Sequence, residues 1–227
     1  MEFFKFLISL GARGIIILFL ILGAIVAWGF ISDSNKRADT YNSLILPAIK
    51  SKSHDLKPFV IDNQMEPELP DEGQNNKTLL GVDSNKNGVR DDIEIWINRT
   101  AQSRNLRLAL KQYAMALGKT YRIGSMKDIG KAMDESVAVR QEIERASSCI
   151  SFVDYDINDE KLHYFTGAID SLVFNTYDRQ ELNSKYFSRS LNINYKDIGD
   201  FSEGKTMCNF YIDDYDKIKD YIQKTRP

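Results

Sequence analysis

Residues 125–148 read SMKDIGKAMDESVAVRQEIERASS. Ile129, Met133, Val137, Arg140 and Ile143 recur at three- and four-residue steps, the period of one helix face. Ser125 occupies an N-cap position, with Asp128 three residues on in place of the usual capping-box Glu. The same period extends in both directions. Upstream, Ile93, Trp96, Ile97 and Thr100 form one run, and Leu106, Leu110, Tyr113, Ala114 and Leu117 form another. A phase slip near Ser103 separates the two. Downstream, Asn158 is a residue type that caps helices, and it precedes Leu162, Phe165, Ile169 and Leu172. Asp178 to Leu191 reads as a further helix, and Asp213 to Lys224 closes the chain with Tyr215, Ile218, Tyr221 and Ile222. Two glycines break the pattern over residues 192–210, and NFYI at 209–212 is the one strand-like stretch. The expected fold class is mainly α.

Before the helical region the pattern is weaker. Lys57 to Gly81 holds Pro58, Pro67, Pro70, Gly73 and two adjacent Asn, the composition of a long ordered loop or a linker. ADTYNSLILPAIKSK, residues 38–52, has helical spacing up to Pro47, which kinks or ends it. Further back, GIIILFLILGAIVAWGFI spans Gly14 to Ile31 without a charge. At about 1.5 Å per residue it reaches about 27 Å, close to the hydrocarbon thickness of a bilayer. Lys5 and Arg13 precede it, and Trp28 sits near its far end, where an indole suits the interface. A cleaved signal peptide is the alternative, with a shorter apolar core and a small-x-small site; Ile25 before Ala27 fits that poorly. The expected organisation is a flank (1–13), a transmembrane anchor (14–31), a juxtamembrane helix with a Pro-rich loop and a metal loop (32–90), and an α-helical domain (91–227). The basic residues before the span place the N-terminus inside and the soluble domain outside, although Lys36 and Arg37 just beyond it pull the other way.

Composition sets the limits on function. The 227 residues are 43% hydrophobic and 27% charged, a folded-protein balance. Net charge is −2; Lys5 and Arg13 against Glu2 give the first 31 residues +1 and leave −3 on the rest. A mildly acidic domain has no electrostatic footprint for nucleic acid. His54 and His163 lie far apart, and no zinc spacing, P-loop, nucleophile elbow or dinucleotide fingerprint occurs.

The chemistry-bearing stretch is VDSNKNGVRDDIEIW, Val82 to Trp96. Counted from Asp83, it satisfies the twelve-position pattern D-x-[DN]-x-[DN]-G-x5-E, with Asp83, Asn85, Asn87, Asp91 and Glu94 at positions 1, 3, 5, 9 and 12. Calcium needs six to eight hard oxygens, and alternate residues of one tight loop can point them at a single centre. Gly88 at position 6 permits the sharp bend, Val89 offers its carbonyl, and Glu94 reaches back from the first turn of a helix. The alternative is an Asx-rich turn with an acidic helix cap and no ion.

This loop resembles those of EF-hands, and more closely those of thrombospondin type 3 repeats. Two departures stand out: position 8 is Arg90 where an aliphatic residue is usual, and no amphipathic helix precedes the loop. The likeness covers 12 to 15 residues. With one anchor and one such loop opening a helical domain, the whole is similar to uncharacterised envelope proteins of Gram-negative bacteria, which implies a periplasmic location.

Cys149 and Cys208 are the only cysteines. In an exported domain they are expected as a disulfide, with two buried thiols as the alternative. The expected function is that of a non-enzymatic, single-pass membrane protein with a structural Ca²⁺ ion, acting through an envelope protein partner. The alternatives are a calcium-stabilised envelope hydrolase and a calcium sensor. DDYDKIKDYIQK, residues 213–224, reads as a solvated helix face, with its tyrosines as an alternative docking surface.

Overall fold

The computed structural model describes residues 58, 60–155, 157, 159–190 and 204–225. Contacts divide the chain into Met1–Asp39 and Thr40–Pro227, and everything described belongs to the second unit. The expected anchor at 14–31, the helix at 38–52, the cap at Asn158 and most of the break at 192–210 lie outside the described residues. Among the described residues, no helix is long and apolar enough to cross a membrane.

The unit is mainly helical. A short antiparallel hairpin, β1 (Val60–Ile61) and β2 (Gln64–Met65), precedes α1 (Glu72–Asn75), α2 (Asp91–Thr100), α3 (Arg104–Gly118) and α4 (Thr120–Ser125). There follow α5 (Ile129–Val153), α6 (Asp159–Val173), α7 (Tyr177–Ser190), α8 (Gly204–Met207) and α9 (Tyr215–Thr225). The phase slip at Ser103 is a true boundary: its hydroxyl accepts from the Leu106 amide at 3.2 Å and caps α3. α3 packs against α5 and α6, while α7 lies on α4 and α5. The core between them is built from Ile97, Leu110, Ile150, Ile169 and Leu172, with Trp96 edge-on to Phe165. Close approach of α4 to α7 depends on Gly124, because a Cβ there would lie 2.2 Å from the Leu182 carbonyl oxygen.

Four expectations are corrected. α5 starts at Ile129 with Asp128 as its N-cap, and Ser125 instead ends α4. Its buried face is Ala132, Ser136, Val139, Ala146, Cys149 and Ile150, whereas Ile129 and Met133 are exposed. Small side chains on that face let neighbouring helices come close, so packing rather than side-chain size selects it. The Pro-rich region contains a hairpin, whose turn residues Asp62 and Asn63 both have positive φ (50° and 63°), as a tight two-residue turn requires. NFYI is not a strand. The segment around it is held by amide side chains of α3. Gln112 donates to the Met207 carbonyl and accepts from the Asn209 amide, and Asn105 pairs in the same way with both backbone groups of Asp213.

The disulfide joins Cys149 of α5 to Cys208 just after α8, with Cα atoms 5.1 Å apart. Tyr215 and Tyr221 of α9 pack, tilted, against Phe152 and Tyr155 at the end of α5.

Residues 60–82 are fastened to the helices by arginines, of which Arg107 and Arg179 are buried and Arg99 partly so. Arg107 forks onto Asp62 at 2.5 and 2.7 Å, and Arg99 forks onto the buried Glu66 at 2.5 and 3.2 Å. Arg179, fully buried on α7, donates to the carbonyls of Asn75, Thr78 and Leu79 at 2.8–2.9 Å and to the Asn76 side chain.

Candidate metal centre

The chain from Val82 to Glu94 folds back on itself before α2. Its neck is closed by the Asp91 amide donating to the Val82 carbonyl at 2.8 Å. Asp91 Oδ1 and Oδ2 accept from the Ser84 amide at 3.0 and 3.2 Å. Asp83 accepts from the amides of Asn87 (3.1 Å) and Gly88 (2.9 Å). Asn85 Oδ1 accepts from the Asn87 amide, and Asn87 Oδ1 from the Val89 amide. Each oxygen side chain thus turns inward over its own loop, the habit of Asx turns. Lys86 (φ 57°) and Gly88 (φ 86°) take the left-handed conformation that bends the chain so tightly.

Glu94 closes the loop from the first turn of α2. Its Oε2 accepts from the side-chain amides of Asn85 (2.9 Å) and Asn87 (2.7 Å), and its Oε1 from Lys111 Nζ on α3 at 2.6 Å. Asn85, Asn87 and Glu94 are therefore brought to one place, while Asp83 and Asp91 are each engaged with backbone amides. Among the described residues, no group of three or more His, Cys, Asp or Glu side chains is gathered for a metal ion. The neighbouring acids still act on Asp91. Burial pushes the Asp91 carboxyl above its usual range against the opposing Ser84 hydrogen bonds, and the charges of Asp83 and Glu94 push the same way.

The donor set suits calcium. Five side chains offer carboxylate or amide oxygens from one turn, with no sulfur or imidazole among them. To hold an ion, the amides of Asn85 and Asn87 would present oxygen where they now present nitrogen to Glu94.

Sequence reasoning passed over the residues that position this loop. Val89 buries its side chain in the core beside Ile93. Arg90, the departure at position 8, is buried; it forks onto Asp92 at 2.6 and 2.9 Å and donates to the Leu172 carbonyl at 2.6 Å, tying the loop to the end of α6. The Val82 amide is held by the Asn75 side chain at 3.0 Å. What Lys111 and Arg179 hold was not written locally, since Glu94 lies 17 positions from the one and the Asn75 carbonyl 104 from the other.

Comparison with protein-family models, with curated proteins and with solved structures finds no match to this chain.

Proposed function

We propose that the Asp83–Glu94 loop binds one calcium ion as a structural element of a membrane-anchored, exported protein. Its helical domain acts without catalysis, through contacts with another protein of the cell envelope. The observation that carries the calcium assignment is the inward turn of Asp83, Asn85 and Asn87 about the left-handed Lys86 and Gly88, with Glu94 folded back over it. A structural role is favoured because both flanks are already tied down, by Arg90 to α6 and by Arg179 across residues 75–79. With Asn at positions 3 and 5, Asp83, Asp91 and Glu94 are the only charged ligands, which favours affinity in the micromolar to millimolar range.

Export is supported by the Cys149–Cys208 bond, which persists in oxidising compartments. Anchoring is supported by the length and hydropathy of Gly14–Ile31. Protein contacts are supported by Tyr177 and Tyr211, which are 78% and 81% exposed; Tyr is a favoured interface residue.

The test is calorimetric titration of calcium into the full chain, beside an Asp83→Ala, Glu94→Ala variant. Heat in the wild type alone is expected, with stability raised by about 2.7 kcal/mol at a hundredfold excess over Kd. No heat at millimolar calcium reduces the loop to an acidic helix cap. Turnover of substrate by the purified chain overturns the non-enzymatic assignment.

A further inference from the structure

Glu94 is 2% exposed, and Lys111 Nζ sits 2.6 Å from its Oε1. A calcium ion taken by both Glu94 oxygens would compete with that ammonium for the same acceptor and repel it at close range. The ammonium would need somewhere to go. Directly beside the pair lies a cavity of about 80 Å³ lined by Asp62, Glu94, Asn98, Leu108 and Lys111 among others. Asn98 is 5% exposed, and neither its side-chain oxygen nor its nitrogen has a hydrogen-bond partner among the described residues. A buried amide left in that state is costly unless something uses it. An ammonium entering the cavity would find its acceptor in the Asn98 side chain, because both Asp62 oxygens already accept from Arg107 and Arg104 also lines the wall.

We propose that Lys111 is an exchangeable internal cation: it neutralises Glu94 when no metal is bound, and calcium displaces its ammonium into the cavity, where Asn98 receives it. The exchange rests on the calcium assignment made above and extends it to two residues outside the loop. Lys111 competes with the ion, so it lowers affinity; Asn98 stabilises the displaced lysine, so it raises affinity. Neither touches the ion. The same exchange explains how a buried glutamate at position 12 remains compensated before metal arrives.

The experiment is calorimetric titration of calcium chloride into the full 227-residue chain, in a non-chelating detergent, for the wild type, Lys111→Met and Asn98→Leu. Lys111→Met is expected to tighten binding about tenfold or more, the scale of one charge-assisted hydrogen bond. Asn98→Leu is expected to weaken it about tenfold on the same scale, while the calcium-free melting temperature is not lowered, because two unpartnered polar atoms are removed. A merely structural Asn98 would leave affinity unmoved, and this variant keeps the test decisive should Lys111→Met fold poorly. Equal affinities in all three proteins overturn the exchange and leave the calcium site standing. No heat from the wild type or from Lys111→Met at millimolar calcium overturns both.

Discussion

Arg179→Met should unfasten the segment that leads into the metal loop. The guanidinium is fully buried and donates to the carbonyls of Asn75, Thr78 and Leu79, and to the side chains of Asn76 and Asn175. Methionine matches much of its length but offers no donor. Asn76 and Thr78 are exposed and can turn to water, whereas Asn75 is buried and Leu79 half-buried. Those two carbonyls set the loss, at about 1–3 kcal/mol each, offset in part by relief of a buried charge. The net expectation is about 2–4 kcal/mol. Arg104→Met is the control: its ion pair with Asp213 is roughly half exposed and should contribute about 0–1 kcal/mol. Urea denaturation followed by circular dichroism gives both values. Hydrogen exchange locates the effect, because loosening residues 75–79 frees the Val82 amide from Asn75 and then the Asp91 amide from Val82. A loss under about 1 kcal/mol, with unchanged exchange from 78 to 91, would refute the clamp and mean that other contacts hold the segment.

Three further outcomes are expected. Cys149→Ser with Cys208→Ser removes a link between positions 59 apart, and chain-entropy reasoning puts the loss at roughly 4 kcal/mol, read as a matching shift when the wild type is denatured with reductant. Hydrogen bonds from Arg107 hold the Asp62 carboxyl below its ordinary 3.8, so this pair adds stability that is complete above that value and disappears as pH falls through the lower, folded value; Asp62→Asn should flatten that part of the acid-denaturation curve. Tyr186 is 1% exposed with a hydroxyl that has no partner among the described residues, so Tyr186→Phe should be neutral or raise stability by up to about 1 kcal/mol in a thermal melt, whereas clear destabilisation would reveal a partner for that oxygen.

How much was legible depended on how local each cause is. The boundary at Ser103 was readable because the apolar period slips there, where the structure places the cap. The inner faces of α3 and α6 were readable because large apolar residues mark them, whereas α2 is buried on every side from Asp91 to Asn98 and not only along Ile93, Trp96 and Ile97. The inner face at the start of α5 was not: Ile129 and Met133 point outward there, and Ala132 and Ser136 meet the neighbours. The hairpin at 60–65 was hidden among prolines, although Asp62 and Asn63 are residue types that tolerate positive φ. NFYI has strand composition, but strands need a strand partner, and here the backbone partners are side chains of α3.

The sequence by itself determined the helical period, the apolar span before residue 32 and the oxygen pattern of the loop, because each is written within a window of about 12 to 18 residues. Tertiary structure alone decided what surrounds that loop. It set Arg90 against the end of α6, Lys111 on Glu94, Asn98 at a cavity wall and Arg179 beneath residues 75–79. These contacts join positions remote in the chain, and a charged or amide side chain declares no partner until folding removes water from it and leaves only the acceptors that packing has brought within reach.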